Sequence, residues 1–190
     1  MQFEDGKGRG HRCAVNEDNR ALTEAVISTI EHFCNHAKSD AYQLPFEQSP
    51  TAGDDCIFYV SNDDQTKDMS VEGFVLSVDQ ACELYFQLND KGTRNGATDI
   101  VPVNMNAGSG KSAIGTFEQG ADLDGGAATL TGGTEFTRMI FRAATDSAYW
   151  NFEQDIILPR NATLTLWCSN AAATVNAAMI FNYHSVSLHT

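Results

Sequence analysis

Basic residues are scarce in this chain: 12 Lys and Arg stand against 25 Asp and Glu, a net charge of −13. Nucleic-acid binding needs a basic stripe to displace counterions, so direct contact with DNA or RNA is not expected. No apolar run approaches the ~18 residues that a membrane-spanning helix requires. The opening residues, Met1-Gln2-Phe3-Glu4-Asp5, have neither a basic nor an apolar leader region, so no secretory signal is expected. The five cysteines (Cys13, Cys34, Cys56, Cys82 and Cys168) are odd in number and widely spaced, without C-x-x-C. That usage predicts reduced, buried thiols made in a reducing cytosol, and neither a disulfide framework nor a zinc knuckle.

Catalytic patterns are lacking too. There is no G-x-S-x-G elbow, and no H-x-D, H-x-E or H-x-H of the kind cupin metalloenzymes carry. Gly108-Ser109-Gly110-Lys111-Ser112 ends like a phosphate-binding loop, but Met105 stands where that loop needs glycine, and Ala113-Ile114-Gly115-Thr116-Phe117 reads as strand rather than helix. A strand-linking turn is the expectation, and it leaves the lysine available to a partner. His32 and His36 have metal-clamping spacing, but Phe33 replaces the glutamate of a zinc-protease motif and no third ligand is visible. Asp54, Asp55, Asp63, Asp64, Asp122 and Asp124 fall in turn-like stretches, where aspartate is ordinary. Asp122-Leu123-Asp124-Gly125 has calcium-like character without a full ligand series. No enzyme activity, cofactor or metal is expected.

What is present is a β-rich texture. Strands are predicted over 57–60, 70–78, 84–88, 100–105, 112–118, 136–142, 152–158, 163–168 and 175–183, with turn chemistry between them and a long glycine-rich loop over 120–133. Pro102 predicts an edge or a bulge. In 136–142, Thr137, Met139 and Phe141 are the better core face, because Arg138 and Arg142 share the other with Phe136 and Ile140. Eight or nine strands without internal repeats predict an antiparallel, jelly-roll-like sandwich. Tyr149, Trp150, Phe152 and Trp167 are expected in its core or at a subunit interface. Leu22, Val26, Ile30, Phe33, Cys34 and Ala37 have helical spacing, so a helix is predicted over 20–38, with a strand as competitor because Val26-Ile27-Ser28-Thr29-Ile30 is mostly β-branched. Pro45, Pro50 and Gly53 read as a connector. They divide the chain into an attachment region, 1–50, and a sandwich domain, 51–190.

Gly6, Gly8 and Gly10 interrupt the stretch Asp5 to Arg12. So many glycines disfavour a regular element and suggest an arm that orders against something else, the alternative being a frayed terminus. Lys7, Arg9, His11, Arg12 and Arg20 concentrate positive charge there.

Three stretches resemble small virion proteins of tailed bacteriophages. The first is Asp5, Gly6, Gly8 and Gly10, then Ala14-Val15 and Asn19-Arg20-Ala21-Leu22. The second is Val101-Pro102-Val103-Asn104-Met105-Asn106 with Gly108-Ser109-Gly110-Lys111-Ser112. The third is Asp155-Ile156-Ile157-Leu158-Pro159-Arg160-Asn161, where Asn161 replaces the family's usual glycine. The resemblance implies a jelly-roll decoration or cement protein, made in the host cytoplasm and bound to the outer surface of the virion head. It implies a homotrimer that contacts the major capsid protein, with Lys7, Arg9, His11, Arg12 and Arg20 as capsid-binding residues. Another virion position (a head-fibre base or a tail component) and a carbohydrate-binding jelly roll are the alternatives.

Overall fold

The computed structural model describes residues 34–185. A single wide helical turn, Cys34–Lys38, leads into eleven strands. They are β1 (Ala41–Gln48), β2 (Asp55–Asn62), β3 (Lys67–Val78), β4 (Cys82–Leu88), β5 (Thr98–Asp99), β6 (Val103–Asn104), β7 (Gly115–Gln119), β8 (Thr134–Phe141), β9 (Asp146–Leu158), β10 (Thr163–Cys168) and β11 (Val175–Ser185). Of the helix predicted over 20–38, only the last turn falls among the described residues.

The pairing is nested. β4 pairs with β8, β3 with β9, β2 with β10 and β1 with β11, all antiparallel. Successive pairs alternate between two sheets, ordered β6-β1-β11-β3-β9 and β5-β7-β2-β10-β4-β8. This is the winding of a jelly roll, as the strand spacing predicts. Residues 98–119 are an excursion between β4 and β8. They cap the β1 edge of one sheet with β6 and the β2 edge of the other with β7 and β5.

Aromatic rings knit the sheets together. Phe46 and Phe74 from the five-stranded sheet alternate with Phe58 and Phe86 from the other, with centroids 4.3 Å (Phe46–Phe58), 5.9 Å (Phe58–Phe74) and 4.8 Å (Phe74–Phe86) apart. All four are buried. At the β8/β9 side, Trp150 and Phe152 close on Phe86 at 5.6 and 5.9 Å, and Phe136 reaches Phe152 at 6.0 Å. Thr137, Met139 and Phe141 are the less exposed side of β8, as predicted, although Phe136 also turns its ring toward the core from the bulge opposite Phe86 and Gln87.

The boundary expected near Pro50 is corrected. β1 lies between β6 and β11, so the sandwich includes residues on both sides of it. Pro45 is compatible with an interior strand for a simple reason. The Ala41 carbonyl accepts from Met105 N at 2.9 Å, so the backbone groups of residues 41, 43 and 45 aim at the β6 edge. β6 extends only along Tyr42 and Gln43, so the N–H that Pro45 lacks has no ladder partner to lose.

Candidate docking surfaces

The chain enters the sandwich through a clamp whose acid, Asp40, sequence reasoning did not single out. Asp40 is buried and receives Lys67 Nζ at 2.8 Å and Lys111 Nζ at 3.1 Å. Lys111 Nζ also donates to the Lys38 carbonyl at 2.6 Å. Asn104 Nδ2 donates to the Ser39 carbonyl at 2.8 Å, and Asn106 Nδ2 to Ser39 Oγ at 2.9 Å. Cys34 Sγ reaches the Tyr183 carbonyl, while Tyr183 Oη donates to the Ile114 carbonyl at 2.8 Å. Burial pushes the Tyr183 phenol well above its ordinary value. The stretch 101–112 thus grips the chain just after residue 34. Its lysine is committed to Asp40 and the Lys38 carbonyl, and extended chain follows it, so the geometry is not that of a phosphate loop. Asp40 had no visible signal, being a lone acid before an alternating strand.

Over β2 and β10 the outward face of the six-stranded sheet is covered. Leu123 and Leu130 from the 120–133 loop pack on Cys56 and Tyr59, with Trp167 beside them. Trp167 stacks on Tyr85 at 5.9 Å. Arg94 lies 4.2 Å above the Tyr59 ring and forks onto Glu118 through Nε and Nη2. β2 is therefore buried on both faces, which explains its nearly unbroken apolar run. The same loop brings carboxylate oxygens of Asp55, Asp122 and Asp124 within 4.8 Å of one another. Ala52 N donates to Asp55 Oδ2 and Cys56 N to Asp124 Oδ1. Burial, with Asp122 and Asp55 adding their charge, holds the Asp124 carboxyl above its ordinary value. Three carboxylates suit a hard cation, but the backbone donors already on two of them give the cluster an ordinary structural role.

The outward face of the five-stranded sheet is different. Register sets Pro45, Ala178, Val75 and Tyr149 in one row across β1, β11, β3 and β9. The flanking rows are Gln43, Ile180, Gly73 and Asn151, and Glu47, Asn176, Ser77 and Ser147. Val103 of β6 extends the face beside Gln43. Val75, Val103 and Tyr149 are 47, 60 and 51% exposed. Glu47 is the one charge in these rows, on a chain carrying −13. A groove of about 440 Å³ runs along Pro45, Glu47, Val75, Ser77 and Ala178. Toward the Cys34–Lys38 turn the sheet becomes buried, with Ser70 and Asn182 at 2 and 0% exposure.

Cys34, Cys56, Cys82 and Cys168 are buried and unbridged. The expected capsid contacts Lys7, Arg9, His11, Arg12 and Arg20 lie outside the described residues, as do Cys13 and His32. Among the described residues no helix is long and apolar enough to cross a membrane. Comparison with models of protein families, with curated proteins and with solved structures finds no match to this chain.

Proposed function

We propose that the chain is a virion structural protein of a tailed bacteriophage, a decoration or cement protein that binds the outside of the head and stabilises the shell. The observation that carries this reading is the clamp at Asp40. Of the three stretches that resemble virion proteins, the second grips the chain directly behind the segment holding the first. The third makes a tight turn after β9, with Asn161 at φ 63°, a left-handed position suited to the family's glycine. A jelly roll that holds the chain firmly just before β1 fits attachment to a lattice through the residues that precede it. Each bound copy adds interface energy that exists only in the assembled shell. The major capsid protein is the proposed partner, and no catalysis is involved. A homotrimer belongs to the same proposal and rests on the resemblance.

The carbohydrate-binding alternative needs aromatics offered to solvent. Trp150 and Phe152 are turned onto Phe86, and Trp167 is stacked on Tyr85. Of that group, Tyr149 alone is exposed, which favours the virion reading.

The test is binding of purified protein to undecorated heads. The full chain saturates heads at a fixed stoichiometry. Deleting residues 1–10 leaves the melting temperature nearly unchanged and sharply weakens attachment, while charge reversal at Lys7 and Arg9 weakens it in a salt-dependent way. A full chain that ignores heads overturns the function. A truncated chain that binds at wild-type affinity removes the arm from the mechanism.

A further inference from the structure

Cys82 opens β4 and Cys168 closes β10, so the two are far apart in the sequence and neighbours in the fold. Register sets Cys168 opposite Leu84, two residues from Cys82 on the same side of β4. The two cysteines are therefore a diagonal pair facing the core. Hydrogen bonds hold together the segments that carry them. Ser169 N donates to the Glu83 carbonyl at 3.0 Å, Glu83 N to Ser169 Oγ at 2.9 Å, and Asn170 Nδ2 to the Ala81 carbonyl at 2.7 Å. Both thiols are buried, Cys82 at 5% and Cys168 at 0% exposure, yet they lie just behind the rim of the sandwich. Gln80 and Ala81 on one side, and Ala171 and Ala172 on the other, are exposed. We propose that Cys82 and Cys168 form a reversible disulfide when the protein meets peroxide, a redox lock between β4 and β10.

The two thiols are hydrogen-bonded to one another. That bond, with burial adding to it, holds Cys82 well above its ordinary value and draws Cys168 below its own. Cys168 is thus the sulfur with thiolate character, and Cys82 the one that keeps its proton. The Cys168 sulfur attacks one oxygen of hydrogen peroxide. The O–O bond breaks, a sulfenic acid forms, and the departing hydroxide takes up the thiol proton as water. The Cys82 sulfur then attacks the sulfenic sulfur. An S–S bond forms, the S–O bond breaks, and the hydroxyl leaves as water with the Cys82 proton. Two thiols and one peroxide give one disulfide and two waters, with two electrons passing from sulfur to oxygen. The other described cysteines have no such neighbour: Cys56 packs on the opposite face of its sheet with Leu123 and Leu130, and Cys34 lies at the Tyr183 carbonyl. Cα atoms of a diagonal pair stand about 7–8 Å apart, beyond the roughly 4.4–6.8 Å of a relaxed disulfide. Closing the bond therefore draws the Cys82 end of β4 toward β10, and the strain keeps it readily reducible. The cross-link restricts the unfolded chain over the whole span from β4 to β10, which favours the folded form.

The test uses the full chain, purified under reductant and then treated with hydrogen peroxide in equal amount. Alkylation in denaturant followed by peptide mapping finds two of the five thiols lost. They are recovered as a linked Cys82–Cys168 peptide, lighter by two hydrogens than its reduced parts, and dithiothreitol restores both. The oxidised protein unfolds at higher urea than the reduced one. Cys82→Ala stops the reaction at a one-oxygen adduct on Cys168, and Cys168→Ala yields no intrachain disulfide. Mapping of the unsubstituted chain decides the bond whether or not these variants fold. Thiols that all survive, a bond that maps to another pair or joins two chains, or Cys168 carried on to the sulfinic acid beside a free Cys82 overturns the pairing. An oxidised form that unfolds no later than the reduced one overturns the lock. Neither result bears on the virion reading: protein that decorates heads without ever forming the bond sinks only the disulfide, and a disulfide in protein that ignores heads sinks only the function.

Discussion

Lys67 Nζ lies 2.8 Å from Asp40 Oδ2, joining the start of β3 to the point where the chain enters the first sheet. The Asp40 side chain is 7% exposed, against 28% for Lys67 and 50% for Lys111. Removing the carboxylate leaves two ammonium groups, of which Lys111 rehydrates more readily. Asp40→Asn is therefore expected to cost about 1–3 kcal/mol in urea unfolding. Double-mutant cycles should give a larger coupling of Asp40 to Lys67 than to Lys111. Equal couplings would show that burial does not grade the two ion pairs.

Asp64 gives the sandwich an acid-sensitive joint. Its Oδ1 accepts from Thr66 N at 2.8 Å, Thr66 Oγ1 at 3.0 Å and Lys67 N at 3.1 Å, fixing the turn between β2 and β3. Burial pushes this carboxyl up, but those hydrogen bonds and the charge of Lys67 outweigh it and hold the group below its ordinary 3.8. A depressed carboxyl contributes stability that is fully present above 3.8 and is lost as pH falls through the lowered value. Asp64→Ala should cost about 1.5–3 kcal/mol at neutral pH. The gap from wild type should shrink as unfolding is measured at successively lower pH below 3.8. A gap constant across that range would mean the charge on Asp64 contributes nothing.

Gly73 stands at the bulge where β3 pairs with β9, opposite Asn151. A Cβ at this position would collide with the Trp150 carbonyl oxygen, a backbone atom that cannot rotate away. Gly73→Ala should cost about 2 kcal/mol or more and shift the emission of Trp150, which packs on Phe86. Wild-type stability in this variant would show that β9 moves freely off β3.

Much of this architecture was legible from turn chemistry and short apolar runs. β2, β4 and β10 read correctly because their inward residues are uniformly apolar. β1 did not, since Pro45 looks like a connector until one sees that β6 stops at Gln43. The first half of β9 was missed because Ser147, Tyr149 and Asn151 face outward and break the apolar signal. The docking surfaces were harder still. Pro45, Ala178, Val75 and Tyr149 come from four strands, and only register unites them. Lys111 was visible as the end of a glycine-rich turn, but its partner Asp40 lies 71 residues away in sequence.

The four described cysteines should behave as core residues. Cys34, Cys56, Cys82 and Cys168 are all at most 5% exposed. Burial pushes the Cys56 thiol well above its ordinary value, so it has little thiolate to react. With a charged thiol reagent at neutral pH, these four should label at the rate of unfolding. Denaturant should release all of them without a reductant. Rapid native labelling at Cys56 would mean that the 120–133 loop opens readily.

Asn161 separates what the turn needs from what the side chain adds. Its φ of 63° is left-handed, and its N–H donates to the Asn62 carbonyl at 2.7 Å. Ala162 N donates to the Pro159 carbonyl at 2.9 Å, closing a tight turn with Asn161 at its third position. Asparagine adopts this geometry at lower cost than residues with larger or branched side chains, and glycine adopts it with no Cβ penalty. Asn161→Gly should therefore stay within a few tenths of a kcal/mol of wild type, the relief of strain offsetting the entropy of a freer unfolded chain. Asn161→Ala keeps the backbone hydrogen bond but not the tolerance, and should lose about 1 kcal/mol. Asn161→Val, β-branched at positive φ, should lose more. The ranking Gly, Ala, Val in midpoint denaturant follows from the backbone alone. If alanine instead matches glycine, φ is not what fixes this position, and the turn owes its shape to Pro159 and the strands on either side.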